Sequence, residues 1–214
     1  MRTVQQIYSD YKIMPSLQLH QLRVAAVAKI IVENFQEILD KEPIIFACLF
    51  HDMGNIIKSD LNYFPEFLKP EGLEYWQDIK KDYIKKYGSD EHLATKKIAK
   101  EINLPNSTLA CLNRIGFSNA ITNEISDSFE NKICNYSDMR VGPYGILSME
   151  ERISEGHKRY ENKKHSIASD NFDSLVYSLR KIEKQIFSKT NIKPDEITDK
   201  KIESVIKELR EFTL

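Results

Sequence analysis

The sequence predicts an all-α fold in one domain. Apolar residues recur at three- and four-residue spacing in most segments, and no segment alternates polar and apolar residues as a half-buried strand would. Only 7 glycines and 7 prolines interrupt the 214 residues, which favours helices. With 41% hydrophobic and 29% charged residues, the chain has the composition of a globular protein and the length to bury one core.

Two apolar helices are predicted near the start of the chain. The first runs over about 17–36, and its apolar stripe is so wide that most of its sides are expected to be buried. The second runs over about 42–53, with Pro43 in its first turn and Gly54 at its end. It is apolar nearly all round, so we expect it at the centre of the fold.

The rest of the chain predicts a series of further helices. Residues 56–72 are irregular, and the polar segment 116–130 is left unassigned. Ser148 and Glu151 are typical of a capping box. Helices are expected over about 73–87, 91–102, 105–113, 130–140, 148–162, 168–188 and 199–212. We therefore predict a single domain over 1–214, with a core at about 15–162 and a C-terminal helical extension at about 166–214.

Charge argues against two classes of partner. The 31 basic and 32 acidic residues nearly cancel, so no global field attracts nucleic acid or an anionic membrane. The lysine- and tyrosine-rich runs 80–87 and 157–165 are diluted by acids and are read as solvated faces, with His157 and His165 at the surface.

The cysteines and the hydropathy predict a cytoplasmic protein. Cys48, Cys111 and Cys134 form no CxxC pair and are expected to be buried reduced thiols. No apolar run approaches the roughly 18 residues of a membrane span. The N-terminal residues are too polar for a signal peptide.

The apolar run Ile44–Phe50 ends in His51 and Asp52, two groups that are costly to bury. An ionised carboxylate removed from water needs a partner. The pair must therefore reach solvent, meet a partner or hold a metal. Two ligands alone hold a divalent ion weakly, so further ligands are expected from elsewhere in the chain.

His20 and Asp138 are the candidates for those further ligands. His20 lies among apolar residues of the first predicted helix, and Asp138 follows the half-apolar run Ile133–Tyr136. Two imidazoles and two carboxylates leave coordination positions open. Such a set suits Mn²⁺, Fe²⁺, Co²⁺, Ni²⁺ or Zn²⁺, and Mg²⁺ is also left open.

These residues resemble the HD-domain metal-dependent phosphohydrolase superfamily. Its pattern is a histidine on one helix, a His-Asp dipeptide on the next and a much later aspartate. Here the pattern is His20 in HQLRVAAVA, His51-Asp52 in LFHDMGN and Asp138 in YSDMRV, within roughly residues 17–160. The resemblance implies an all-α HD-domain bundle with one divalent metal on these four side chains.

The resemblance also bears on His92 and Asn55. His92 lies where some members place the first of two extra metal-binding histidines, but LNRIGFSN at 112–119 lacks the second. His92 is therefore expected to be either a substrate-phosphate contact or a helix-start residue, and a contact with metal is left open. Asn55 stands where nucleoside monophosphate hydrolases of the superfamily often have glutamate, and no Glu-Asp typical of guanosine tetraphosphate hydrolases is nearby.

Three cationic side chains are candidates for binding phosphate. Arg23 lies one helical turn from His20, and its guanidinium can bind phosphate with two donors. Lys58 and Arg140 flank the ligand motifs. We predict that substrate is bound by Arg23, Asn55, Lys58, His92 and Arg140, and that catalysis is carried by Asp52 with Arg23 and Lys58.

The predicted function is metal-dependent hydrolysis of a phosphate ester or anhydride, with a small phosphorylated molecule such as a nucleotide as substrate. No GxxxxGK[ST] loop and no Gly-x-Ser-x-Gly elbow is present. Two alternatives remain: a catalytically inactive regulatory domain that binds a nucleotide or metal, and a di-iron oxygenase. The sequence leaves the substrate, the native metal and a homodimer open.

Overall fold

The computed structural model describes the backbone of residues 1–161 and 169–214 and the side chains of 1–158 and 171–214. Over these ranges the chain forms eleven α-helices and no β-strand, which confirms the all-α prediction. The helices are α1 (Val4–Asp10), α2 (Pro15–Glu33), α3 (Lys41–Phe50), α4 (Leu73–Tyr87), α5 (Glu91–Glu101), α6 (Asn106–Leu112), α7 (Ala120–Ile125), α8 (Phe129–Asp138), α9 (Met149–Glu161), α10 (Ser169–Phe187) and α11 (Asp199–Arg210). Short 3₁₀ turns lie at Asn55–Ile57, Pro65–Leu68, Phe117–Asn119 and Pro194–Glu196.

Every predicted helix is present, with both ends within three residues of the predicted ones. The predicted end points 162 and 168 lie outside the described residues, as does His165. The sequence reading missed α1, which begins with a capping box between Thr3 and Gln6. It also missed α7 within the unassigned segment. Both helices are short, so they offer little periodicity to recognise.

Side-chain caps account for several helix starts. Asp90 accepts a hydrogen bond from the backbone N–H of Leu93 at 2.8 Å, which satisfies one of the free donors of α5. The predicted capping box is present, because Ser148 accepts from the N–H of Glu151 and the Glu151 carboxylate accepts from the N–H of Ser148.

The core is built around α2 and α3. Every α3 residue from Pro43 to Phe50 is buried, and α3 packs against α2, α6 and α8. A helix that is apolar on all sides is stable only when it is surrounded in this way. The position of α3 at the centre, with its last turn pointing at α2 and α8, decides where the residues after it are placed.

The C-terminal helices pack on this core. Helix α10 contacts α7 and α8, and α11 contacts α2 and α1. The three cysteines are buried and form no disulfide. None of the helices in the described parts of the chain combines the length and the apolar character that crossing a bilayer requires.

Candidate metal centre

The predicted helix to residue 53 would have included the His-Asp pair. In the structure the pair lies just beyond the end of α3. Helix α3 ends at Phe50, His51 is its C-cap residue, and Asp52 belongs to the turn that follows. The His51 side chain is only 5% exposed. Its Nδ1 lies 2.8 Å from the carbonyl oxygen of Cys48.

That contact fixes the chemistry of the His51 ring. A carbonyl oxygen can only accept a hydrogen bond, so Nδ1 carries the proton and Nε2 is left with its lone pair in the neutral ring. Nε2 is buried and has no hydrogen-bond partner among the described residues. A buried, unpartnered imidazole nitrogen is a donor suited to a metal ion.

His20 from α2 and Asp138 from the end of α8 meet the pair at this point. Asp138 Oδ1 lies 3.3 Å from His20 Nε2 and 3.5 Å from His51 Nε2. Asp52 Oδ2 lies 3.8 Å from each of the same two nitrogens. The structure thus brings together all four side chains that were proposed as ligands.

The spacing of these atoms fits a bound cation. Ligands at about 2.1 Å from a metal lie roughly 3.0–3.5 Å from one another. The donor atoms of His20, His51 and Asp52 all lie within 4.8 Å of one another. Asp138 is not part of that group of mutually close atoms, but its Oδ1 stands closer to both histidines than Asp52 Oδ2 does. Two nitrogen and two carboxylate donors suit a first-row divalent ion.

Asp52 and Asp138 place two negative charges in a buried site, and nearby positive charge stabilises them. Burial would raise the pKa of Asp138, but hydrogen bonds and the charges of His20 and His51 hold the pKa well below its usual range. Burial would also raise the pKa of Asp52, but the charges of His51 and Lys58 outweigh burial and lower the pKa of that carboxyl. Burial would lower the pKa of His51, but Asp52 and Asp138 outweigh it and raise the pKa to about 9.

Three residues that the sequence reading did not identify support the turn after His51. The side-chain oxygen of Gln21 accepts from the Asp52 N–H at 3.1 Å, and the Thr95 hydroxyl accepts from the Gly54 N–H at 2.9 Å. A Cβ on Gly54 would overlap the carbonyl oxygen of Glu91. The position of Gln21 beside His20 in a buried helix was the one available signal, whereas Thr95 had none.

Asn55, which was predicted to bind substrate, contacts the candidate metal ligand Asp52. Its side-chain amide donates a hydrogen bond to Asp52 Oδ2, and its backbone carbonyl accepts from the Ser59 hydroxyl at 3.0 Å. This contact orients the Asp52 carboxylate. In the structure Asn55 therefore positions Asp52.

Arg23 lies at the border of the site, one turn beyond His20 on α2. Its side chain is 16% exposed and its Nε lies 3.9 Å from Asp199 Oδ1. Nη2 donates to the carbonyl oxygen of Tyr144 at 3.0 Å. Burial lowers the pKa of Arg23, and the charge of Asp199 partly offsets that effect.

Lys58 and His92 meet at one carboxylate. Lys58 Nζ lies 3.2 Å from Glu91 Oε1, and His92 Nε2 lies 3.5 Å from the same oxygen. The His92 side chain is 71% exposed. Within the described residues, the candidate ligand group does not include His92, so the structure gives no support to a metal contact by this histidine.

Arg140 is placed inside the fold. The residue is 3% exposed, and its guanidinium donates to the Tyr136 hydroxyl and to the carbonyl oxygens of Leu147, Pro194 and Ile197. All three of its nitrogens are engaged in this way. The placement argues against the predicted substrate contact, because the donors already bind backbone carbonyls.

Comparison with known proteins supports the assignment made from these residues. The family model described as HD domain matches residues 18–112. The match includes His20, His51 and Asp52, and it ends before Asp138. The searches of curated proteins and of solved structures returned no match.

The matched segment covers α2 to α6, which hold three of the four candidate ligands and the central helix of the core. The motifs HQLRVAAVA and LFHDMGN both fall within it. Since the fold is all-α as well, the resemblance is confirmed. The chain carries an HD domain at residues 18–112.

Proposed function

We propose that this protein hydrolyses a phosphate ester or anhydride of a small molecule such as a nucleotide. The observation that carries the proposal is the convergence of His20, His51, Asp52 and Asp138, with the buried Nε2 of His51 close to both carboxylates but without a hydrogen bond. These four side chains would hold one divalent cation. When bound, such a cation acts as a Lewis acid on a phosphoryl oxygen and lowers the pKa of water.

The residues of the chain divide the remaining work. The Cys48 carbonyl keeps the His51 ring in one tautomer and orientation. Asn55 fixes one oxygen of Asp52, so that we assign Asp52 as the base that accepts a proton from the attacking water. Arg23 and Lys58 supply positive charge beside the site for the phosphate of the substrate.

The alternatives receive less support. A di-iron oxygenase needs additional ligands, but His92 is exposed and pairs with Glu91, and 112–119 contains no histidine. A regulatory domain that binds a metal without catalysis would use the same ligand residues. It remains the alternative outcome of the experiment below.

The experiment combines metal analysis with a panel of phosphate esters and anhydrides assayed with Mn²⁺, Co²⁺, Ni²⁺, Zn²⁺ and Mg²⁺. We expect His51→Ala and Asp52→Ala each to abolish bound metal and to lower kcat at least a hundredfold, because each removes a ligand. The helical circular dichroism should be retained, since α3 ends before both residues.

His157→Ala is the matched control, because His157 is exposed on α9 and its ring packs against Phe172. It should keep metal and activity at the wild-type level. Activity that survives both chelation and the two ligand substitutions would contradict the proposal. Tight nucleotide binding without turnover on the whole panel would favour the regulatory domain.

A further inference from the structure

Four aromatic side chains form a partly exposed group on the chain segments that follow Asp52 and Asp138. Phe64 lies 4.6 Å from Tyr63, 5.0 Å from Phe67 and 6.0 Å from Tyr144 between ring centroids. The rings of Phe67 and Tyr144 are 5.6 Å apart. We call Phe64, Phe67 and Tyr144 the aromatic cluster, with Tyr63 at its edge.

The chain places this cluster beside the site. Phe64 and Phe67 belong to the segment that leaves Asp52, and Tyr144 belongs to the loop that leaves Asp138. Arg23 joins the two regions, because it follows His20 by one helical turn and donates to the Tyr144 carbonyl at 3.0 Å. The segments after the two carboxylates therefore meet at the aromatic cluster.

Tyr144 is held firmly although its side chain is exposed. The residue is 65% exposed, yet its hydroxyl donates to Glu66 Oε1 at 2.7 Å and its carbonyl accepts from Arg23. The loop itself is closed by a hydrogen bond from the Gly142 N–H to the Gly145 carbonyl at 2.9 Å. Tyr144 is thus held at its hydroxyl and at its backbone while its ring faces solvent, so the ring is preorganised to bind a ligand.

The loop also depends on α11. Both carboxylate oxygens of Asp199 lie 3.2 Å from the Ile146 N–H. A Cβ on Gly145 would lie 2.6 Å from Asp199 Oδ2, so a larger residue there would displace the Asp199 carboxylate. The first residue of α11 thus fixes the loop that presents Tyr144.

We propose that the aromatic cluster binds a planar aromatic ring of the substrate while its phosphate lies at Arg23 and the four ligand residues. Aromatic rings attract one another in offset or edge-to-face arrangements, and exposed aromatic groups next to a polar site are typical of ligand-binding surfaces. This inference rests on the proposed function and narrows its substrate class to phosphate esters that carry a flat ring.

The experiment uses matched pairs of esters. Benzyl phosphate and cyclohexylmethyl phosphate have similar size and differ in planarity. Adenosine 5′-monophosphate and ribose 5-phosphate differ by a nucleobase. We expect the wild-type protein to prefer the planar member of at least one pair in kcat/KM, and the pair that shows the preference identifies a simple aryl ring or a nucleobase as the ligand.

Tyr144→Leu and Phe67→Leu test the residues. For the preferred pair, the ratio of kcat/KM between planar and non-planar ester should fall about fivefold to tenfold, which is the size of an aromatic pair contact. The use of a ratio cancels effects on the chemical step. Tyr144→Phe keeps the ring and should lose less of the preference than Tyr144→Leu. Tyr177→Leu, at an exposed tyrosine on α10, is the control and should keep the wild-type ratio.

The outcomes separate this inference from the proposed function. Hydrolysis of phosphate esters without preference for a planar ring would overturn the aromatic subsite and leave the hydrolase proposal standing. A preference that survives both leucine substitutions would also overturn it. If no ester is hydrolysed, the hydrolase proposal fails, and calorimetric titration with the same pairs tests the aromatic subsite. Tighter binding of the planar member that is lost in Phe67→Leu would support the subsite. Equal binding of the two members would overturn the subsite.

Discussion

At the scale of single residues, the histidines and carboxylates of the candidate metal centre are held together by opposite charges. Asp52 and Asp138 place two carboxylates in a site where burial disfavours ionisation, yet the pKa of each is lowered. The positive charge that stabilises them in the metal-free protein comes from His51 together with His20 and Lys58. A divalent cation can supply the same charge through the same Nε2 atom.

Metal binding is therefore expected to compete with a proton. The pKa of His51 is raised from its usual 6.5 to about 9, so the ring is protonated at neutral pH in the metal-free protein. We predict that binding of one Mn²⁺ or Zn²⁺ at pH 7 releases about one proton, and that apparent affinity falls about tenfold per pH unit below this pKa. Calorimetry in buffers of different ionisation heat measures the release.

The sign of the pH effect on folding is the opposite for the histidine and the carboxylates. A raised pKa of His51 stabilises the metal-free fold fully below pH 6.5, and this contribution is lost as the pH rises through about 9. The lowered pKa values of Asp52 and Asp138 stabilise the fold at pH values above the usual pKa of a carboxyl, and this contribution is lost as the pH falls.

For the proton-release experiment, metal binding without release of a proton at pH 7 would show that His51 is neutral at that pH.

At the scale of elements, the position of the site depends on where helices end. The hydrophobic run of α3 was recognisable in the sequence, but its end at Phe50 was not, because Met53 is apolar too and is buried in the following turn. That turn is stabilised by α5, since the Thr95 hydroxyl accepts from the Gly54 N–H.

Gly54 tests this packing. A methyl group in Gly54→Ala would lie 2.8 Å from the Ala94 Cβ and would overlap the Glu91 carbonyl, so α5 or the turn must move. We expect a loss of about 1–3 kcal/mol in the free energy of unfolding, typical of overpacking, together with weaker metal binding. Urea unfolding followed by circular dichroism measures the first and metal titration the second.

Gly156→Ala is the control for that experiment. Gly156 lies inside α9, and the nearest described atom to an added Cβ is Nη1 of Arg152 at 3.1 Å, a guanidinium that binds Val141 and Glu155 and must shift by a few tenths of an ångström. Alanine is the better helix former there, so stability should stay equal or rise by up to about 1 kcal/mol. A Gly54→Ala protein as stable as the wild type and with full metal affinity would show that the turn is not constrained by α5.

At the scale of the whole molecule, Arg140 connects the core to the C-terminal segment. It follows α8 directly and binds the carbonyls of Pro194 and Ile197 just before α11. Since α11 holds the loop of Tyr144 through Asp199, the C-terminal extension contributes to the surroundings of the site. The division of the chain into a core and an extension stays a prediction.

Substitution of Arg140 should act on stability and leave substrate recognition unchanged. Arg140→Met leaves three carbonyl oxygens, one of them buried, without their donor, so we expect a loss of about 2–4 kcal/mol in the free energy of unfolding. The KM of the folded protein should change less than twofold. Arg180→Met removes an exposed pair with Glu150 and should cost less than about 1 kcal/mol. A large rise in KM with unchanged stability would restore Arg140 as a substrate contact.

The sequence by itself determined the helical class, nine of the eleven helices in the described residues and the order of His20, His51-Asp52 and Asp138. Apolar periodicity and the choice of metal-binding residue types are local properties, so they can be read from a single chain. The roles of Gln21, Thr95, Asn55 and Arg140 were decided only by the tertiary structure, because each depends on a partner brought close by packing. The aromatic cluster is of the same kind, since Phe64 and Tyr144 are 80 residues apart in the sequence and meet only after α2, α8 and α11 have packed.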